Sequence, residues 1–520
     1  MTEEGNADAT GSGEEEESQA AAMRTTPSWL SRLCGDLRAD RPVFRMARVG
    51  RGGVKFRDRA DVAAFACALR ANTHLESLSF DASFREDPGL IADPLLEDAI
   101  ASHPSLWHLS LDMNAAGTDT AAAAAIGRAT SKSRTLKRLV SSHLGDEGMR
   151  ALATALNGDG SEPNALKVLE FPACRFGDEG AEALSALLVG RATPEKLVLG
   201  RNRLISVRGY RTLGAALGRQ WNAGGRWLKE LHLMYNKIDY QRLRAFLLAN
   251  GSGGGINSQL KVLDLSMNAI GYPGCLAISE ALKESLRCRL GKLHLAHNSI
   301  GPEGARVLAD GLLHCNDCRL EVLDLNYNSI GDEGCAALVS ALRISGNCAT
   351  KLKELWLDGN AIGDKGAVAL ASTCLVGVGG ASPSLEVLRL NNNQISLEGC
   401  RAIALALRRN SSLTVLRMLQ NEIPNEGAEL LEASLQNCNW SLEMLRLDYN
   451  TGLSLERLAA IDRLLVANQA AKAVYWKFND CKLAEQNLPL SIWPCALEAI
   501  KKKPDLLFSV LRTRPDWFQL

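Results

Sequence analysis

Three groupings of side chains in this sequence have the types and spacing that chemistry needs. His294, His297 and Asp324 offer two imidazoles and a carboxylate, a set that can hold a metal ion or relay a proton. Cys315 and Cys318 have Cys-x-x-Cys spacing, and with His314 they offer three zinc ligands. Gly291-Lys292 is the kind of pair with which a phosphate-binding loop ends. Each grouping is incomplete. The histidines lack a third fixed ligand or an enclosed pocket, so partner contact or a simple surface histidine is the better reading of them. The zinc set lacks a fourth ligand, and Cys288, Cys348 and Cys438 stand alone in comparable loops, as incidental thiols do. Lys292 precedes Leu293 where a phosphate loop requires Ser or Thr. No His-Glu-x-x-His stretch occurs, and no Ser/His/Asp nucleophile set lines up in neighbouring segments. The expectation is a protein that is not an enzyme, with no cofactor and no metal.

A second class of residues suits recognition. Tyr, Trp and His gather at one recurrent place although aromatics make up only 5% of the chain. Tyr, Trp and Arg are the side chains that anchor the centres of protein interfaces. The expected binding face consists of His232, Tyr235, Asp264, His294, His297, Asp324, Tyr327, Trp356, Asp358, Arg389, Arg417, Arg446 and Tyr449. Trp356 and Tyr327 would be its anchors. Charge changes along the series, from Asp264, Asp324 and Asp358 to Arg389, Arg417 and Arg446, and the arginines would meet carboxylates. The competing reading is a solvated face whose Tyr and Arg pack only against their strand neighbours.

A repeat positions these residues. The segment Leu260 to Gly271 recurs as Leu290 to Gly301, Leu320 to Gly331, Leu352 to Gly363, Leu385 to Ser396 and Leu413 to Pro424. Weaker copies start at Leu106, Leu166, Pro194, Leu228 and Leu442, a shortened one runs from Leu136 to Gly145, and a further start falls at Leu75. One asparagine per copy, from Asn202 through Asn236, Asn268, Asn298, Asn328, Asn360, Asn393 and Asn421 to Asn450, keeps separations of 28 to 34 residues. Within a copy, Leu263 and Leu265 share one face of an extended strand. Cys335, Leu338, Ala341 and Leu342 then share one stripe of a helix. One strand and one helix cannot bury both stripes, so stacked copies must do it. The implied fold is an α/β solenoid, curved into a horseshoe, with a parallel β-sheet on the concave face and α-helices on the convex face. The asparagines would serve the buried turn, since an amide side chain has donors and an acceptor for stranded peptide groups. Cys174 takes that place in one copy, where the turn would be held more weakly. Cys275, Cys335 and Cys400 alternate with Ala305, Ala367 and Ala428 at one helical position, as small core residues do. Extra residues at Asn157 to Asn164, Gly218 to Arg226, Ala249 to Ser258 and Leu375 to Ser384 read as loops along one rim.

Composition sets outer bounds. In 520 residues, Lys plus Arg and Asp plus Glu are both 59, a balance that argues against nucleic acid or an anionic membrane as partner. No apolar run is long enough to span a bilayer. The acidic start, with Glu14 to Glu17 in a row, is unlike a secretory signal. Fourteen cysteines without that signal point to free thiols in a reducing, cytoplasmic setting. Residues 1–25 have too little hydrophobicity to offset chain entropy and are expected to be a disordered acidic tail. Residues 26–105 are expected to be an N-terminal cap with divergent first repeats, including a helix over Asp61 to Leu69. The repeats proper occupy 106–470, and 471–520 form a C-terminal cap. There, Val474 to Asn479 reads as a last strand and Pro494 to Leu511 as an amphipathic helix.

The repeated residues resemble the leucine-rich repeat of the ribonuclease-inhibitor type, with units of 28 or so residues and a full helix. Ribonuclease inhibitor, the Ran GTPase-activating protein and the sensor domains of NOD-like receptors share it. The resemblance runs from Leu106 to Asn450, extending to Arg41 and Asn479. Asn487 to Pro494 is similar to a C-terminal cap of leucine-rich repeat proteins from algae and oomycetes. The family implies a non-enzymatic scaffold or adaptor that binds a protein or peptide on its concave face, and nothing in the pattern demands a dimer. Without a phosphate loop, the nucleotide engine of a NOD-like receptor is not expected. Two alternatives stay open: a GTPase-activating protein of the Ran activator type, and a structural subunit of a cytoskeletal or ciliary assembly. The Ran activator's acidic tail follows its repeats, whereas here the acidic run comes first and the C-terminus is basic.

Overall fold

A computed structural model describes residues 28–479 apart from 40–45, 50–55, 82–87, 113–119, 159–164, 191–192, 221–226, 250–258, 285–288, 316–318, 343–350, 376–383, 438, 440 and 451. The chain divides into two compact units, Met1–Glu170 and Phe171–Leu520.

Among the described residues the first unit holds strands β1 (Met46–Val49), β2 (Ser77–Asp81), β3 (His108–Asp112), β4 (Arg138–Ser142) and β5 (Val168–Glu170). Each pairs in parallel with its successor. A parallel pair needs a crossover, and helices such as Arg59–Ala71, Pro94–Ser102 and Thr120–Lys132 supply it. The helix expected over Asp61 to Leu69 is present, started by Asp58, whose carboxylate accepts from Asp61 N at 3.0 Å. Strand β1 lies in the stretch expected to hold the N-terminal cap and divergent first repeats.

The second unit repeats this alternation with shorter strands. They are β6 (Lys196–Val198), β7 (Glu230–His232), β8 (Val262–Asp264), β9 (Lys292–His294), β10 (Val322–Asp324), β11 (Glu354–Trp356), β12 (Val387–Arg389), β13 (Val415–Arg417) and β14 (Met444–Arg446). All run parallel, each beside its sequence neighbour. Strand leucines and helix residues close a continuous core, in which Leu263, Leu323, Leu355, Cys275, Cys335 and Ala367 are all buried. In the helix Gly331–Leu342, Val339 is buried where Leu342 was expected, while Cys335, Leu338 and Ala341 keep their places. This is an α/β solenoid of stacked strand–helix repeats.

The asparagines explain why these strands stop after three residues. Asn328 is fully buried and its amide donates to Leu295 O at 2.9 Å and Leu325 O at 3.0 Å. Its oxygen accepts from Asn298 N at 2.9 Å, so one side chain stitches two repeats together. The same link joins Asn236 to Asn268, Asn268 to Asn298, Asn328 to Asn360 and Asn360 to Asn393. Peptide groups that leave the strand ladder are thereby satisfied away from water. Glycine has its own task in the first turn of the helices that follow the strongest repeats. A Cβ on Gly334 would lie 2.5 Å from Ile330 Cγ2 and 3.0 Å from Ala305 Cβ, so only hydrogen fits between stacked repeats.

One expected element is corrected. Val474 to Asn479 is not a strand; it ends the helix Leu455–Asn479. Its aromatic and β-branched residues suggest a strand, yet no Gly or Pro separates them from the alanine-rich helix before them, and the helix runs on. The acidic tail 1–25, the helix expected over Pro494 to Leu511, and most of the four rim inserts lie outside the described residues. No described helix is long and apolar enough to cross a membrane.

Candidate functional site

The site is built from a three-residue rule. In each strand of the second unit the middle leucine points into the core, so the first and third residues share the opposite face. Register then turns third positions into one row across neighbouring strands: His232, Asp264, His294, Asp324, Trp356, Arg389, Arg417 and Arg446. Eight of the thirteen expected site residues therefore stand side by side.

The row changes character along its length. Over β7–β10 it alternates base and acid. His232 Nδ1–H donates to Asp264 Oδ2 at 3.3 Å, and His294 Nδ1–H donates to Asp324 Oδ2 at 3.3 Å. Both aspartates are buried and also accept backbone hydrogen bonds, Asp264 from Ser266 N and Asp324 from Asn326 N. Burial pushes the Asp264 carboxyl up, but hydrogen bonds from His232 and Ser266 and the charge of His294 outweigh it, and the net shift is downward. His232 Nε2 is left without a hydrogen-bond partner, 3.7 Å from a Glu230 oxygen.

Trp356 marks the change at β11. Its indole N–H donates to Glu354 Oε2 at 3.1 Å, His294 tilts against one side at 5.7 Å between ring centroids, and the Arg389 guanidinium lies 4.8 Å from its ring centre. Arg389 is also tied to Asp358 at 2.5 Å, with the aspartate side chain 3% exposed. Beyond it, Arg417 and Arg446 have no carboxylate partner among the described residues. Arg417 meets the Met444 sulfur, at 3.8 Å from Nη2 to Sδ.

The remaining expected residues sit where the chain leaves the strand. Tyr235, His297, Tyr327 and Tyr449 have φ between 55° and 61°, in the left-handed region. That conformation costs a bulky residue about 1–2 kcal/mol, and the asparagine links hold it in place. His297 stacks on Tyr327 with centroids 4.4 Å apart and planes 9° from parallel. Gly359 makes room for that stack, because a Cβ there would come within 2.3 Å of the Tyr327 ring. Tyr327 is 44% exposed and Tyr449 81%. Tyr235 contacts Arg201, at 5.3 Å from guanidinium to ring centre, rather than another expected site residue. Among the described residues Arg446 and Tyr449 make no side-chain hydrogen bond, ion pair or ring contact with another member of the set, although Arg446 is the register neighbour of Arg417.

The chemistry-bearing groupings come apart in space. His294 pairs with Asp324 while His297 lies on Tyr327, so the three do not converge. His314 is exposed and paired with Asp310, Cys315 is buried, and Cys318 is outside the described residues. Among the described residues no cluster of three His, Cys, Asp or Glu side chains is arranged to hold a metal. Burial pushes the Cys275 and Cys400 thiols up to about 12, which makes them poor nucleophiles.

Comparison with known proteins agrees with this repeat. The family model described as Leucine Rich repeat matches residues 257–279, 290–309, 317–339, 348–371 and 381–404. The chain carries leucine-rich repeats. Solved structures with similar repeats include the leiomodin-1 actin-binding site 2, at 22% identity and TM-score 0.29, covering 34% of this chain and 97% of that one. The yeast Rad7–Elc1 complex gives 18% identity and TM-score 0.40, covering 86% and 96%. An internalin from Listeria monocytogenes gives 15% identity and TM-score 0.36, covering 71% and 80%. No curated protein matches the sequence.

Two further side-chain series in the leucine-rich repeats escaped the sequence reading. Asn326 Oδ1 accepts from Asp358 N at 2.7 Å, Asp358 Oδ1 from Asn391 N at 2.8 Å, and Asn391 Oδ1 from Leu419 N at 2.9 Å. One rung is Asp358, expected at the binding face, and the ladder makes it a structural residue as well as an arginine's counter-ion. At the helix starts, Asp332 accepts from Gly363 N and Gly366 N of the next repeat, and Asp364 accepts from Ser396 N and Gly399 N of the one after. Each carboxylate caps its neighbour's helix, not its own. The signal was the Asp in Gly331-Asp332-Glu333-Gly334 and Gly363-Asp364-Lys365-Gly366, which looks like an ordinary first-turn acid until the repeats are stacked.

Proposed function

We propose that this protein is a non-enzymatic scaffold or adaptor that binds a protein or peptide on the strand face of its second unit. Leucine-rich repeats are commonly interaction surfaces, and the ribonuclease-inhibitor type accounts for units of 28 to 34 residues with full helices. The observation that carries the reading is Tyr327. A large aromatic is held 44% exposed in a left-handed turn, braced by His297 and given room by Gly359, a few residues from the Trp356–Arg389 stack. A braced, partly exposed aromatic loses little entropy when a partner covers it.

A photo-crosslinking side chain placed at Tyr327, with another at Val368 on the helix face as reference, tests this in extract of the source cells. The expected outcome is a discrete adduct from position 327 that Trp356→Ala abolishes, and none from 368. Adducts from 368 alone would move the site to the helices.

A further inference from the structure

Resting on that reading, the strands β12–β14 say what kind of segment the face accepts. First positions in these strands are Val387, Val415 and Met444, in register, and third positions are Arg389, Arg417 and Arg446. Residues two apart in a strand share a face, so an apolar row and a basic row run side by side. All three apolar side chains are part-exposed. The basic row divides internally: Arg389 is held by Asp358 and Trp356, whereas Arg417 and Arg446 have no acidic partner among the described residues.

Arg417 makes the case sharper. Its Nε, like that of Arg389, is out of contact with water and has no hydrogen-bond partner, and among the described residues its guanidinium meets the Met444 sulfur where Arg389 meets a carboxylate. A guanidinium N–H removed from water and left unpaired is costly, and a folded chain keeps very few. Its planar fork matches a carboxylate. Arg446 stands one strand away, about 4.8 Å, and is exposed. Elsewhere on the same face these buried acids have a base inside the molecule: Asp264 has His232, Asp324 has His294 and Asp358 has Arg389.

We propose that β12–β14 receive an acidic segment of a partner protein, whose carboxylates engage Arg417 and Arg446 while its apolar side chains lie on Val387, Val415 and Met444. Two cations without counter-ions beside an apolar row are complementary to neighbouring acidic and aliphatic residues. Arg389 does not take part directly; it holds Trp356 at the edge of the site.

The test uses the full chain and a fluorescent peptide of repeating Glu-Glu-Leu, with Gln-Gln-Leu and phosphoSer-Glu-Leu peptides as comparators. The Glu peptide should bind at least about tenfold more tightly than the Gln peptide, and added salt should weaken it. Arg417→Ala with Arg446→Ala should remove that preference, while Arg401→Ala with Arg408→Ala, an equal loss of charge on the helix face, should leave it intact. Equal binding of the Glu and Gln peptides, or no effect of the Arg417/Arg446 pair, would overturn the assignment. Tenfold tighter binding of the phosphoserine peptide would replace carboxylate by phosphate. The crosslink from position 327 separates the two levels. If it forms while the Glu peptide shows no preference, the face binds protein but this sector does not select acid. If it fails too, the protein-binding reading falls.

Discussion

Strands β7–β10 and β12–β14 have the same fold, length and register, and they treat charge in opposite ways. In the first sector each buried aspartate is met by a histidine and a backbone N–H, so the row is closed on itself. In the second, two arginines beside Val387, Val415 and Met444 have no acid to meet them among the described residues. A repeat scaffold supplies equivalent positions, and equivalent position does not mean equivalent task. Charge that is satisfied within the row belongs to stability. Charge left over is available to a ligand.

The comparison can be broken at the turn that carries both sectors. Asn328→Ala removes donors to Leu295 O and Leu325 O and strands Asn298 N, and it should cost about 3 kcal/mol, read by urea unfolding. A cost near zero would mean that water serves the turn and the ladder is not what holds the rows in register. Next in size, Asp358→Ala at the border between the sectors leaves Arg389 unpaired and Asn391 N unsatisfied. Because Arg389 is 27% exposed, the loss should be about 2 kcal/mol and not the larger figure for a fully buried pair.

Acid should act on β7–β10 and less on β12–β14. The folded Asp264 carboxyl titrates below its unfolded value of about 3.9, so its contribution is complete above that pH and is lost as pH falls through the folded value. Unfolding midpoints measured from neutral pH downward should therefore fall in acid, and less steeply in Asp264→Asn. An unchanged slope in that variant would place the acid sensitivity elsewhere. The smallest effect is expected at Arg417→Ala and Arg446→Ala, within about 0.5 kcal/mol of the parent protein. Destabilisation well beyond that would mark these arginines as structural and erase the contrast between the sectors.

Much of this was legible in the chain alone. The leucine and asparagine ladder announced strand, turn and helix from Leu106 to Asn450, because a period repeated that often admits one stacking solution. At Val474 to Asn479 the period has ended, local propensity had to decide by itself, and the aromatic residues misled. The site was half legible. Alternate residues between the strand leucines mark the face, so Trp356, Arg417 and Arg446 follow directly from position, whereas Tyr327 has the parity of the leucines and is exposed only because its turn is left-handed. Whether Asp358 faces a partner or Arg389 does not follow, because its two bonds go to residues 31 and 33 positions away.

The sequence by itself determined which residues are core, which share the strand face and where each turn falls, since these depend on periodicities of two and about 3.6 residues within one repeat. Only the tertiary structure decided which charges are spent and which remain. Counter-ions, helix caps and amide links all join one repeat to the next, and such pairings depend on register between strands some thirty residues apart in the chain.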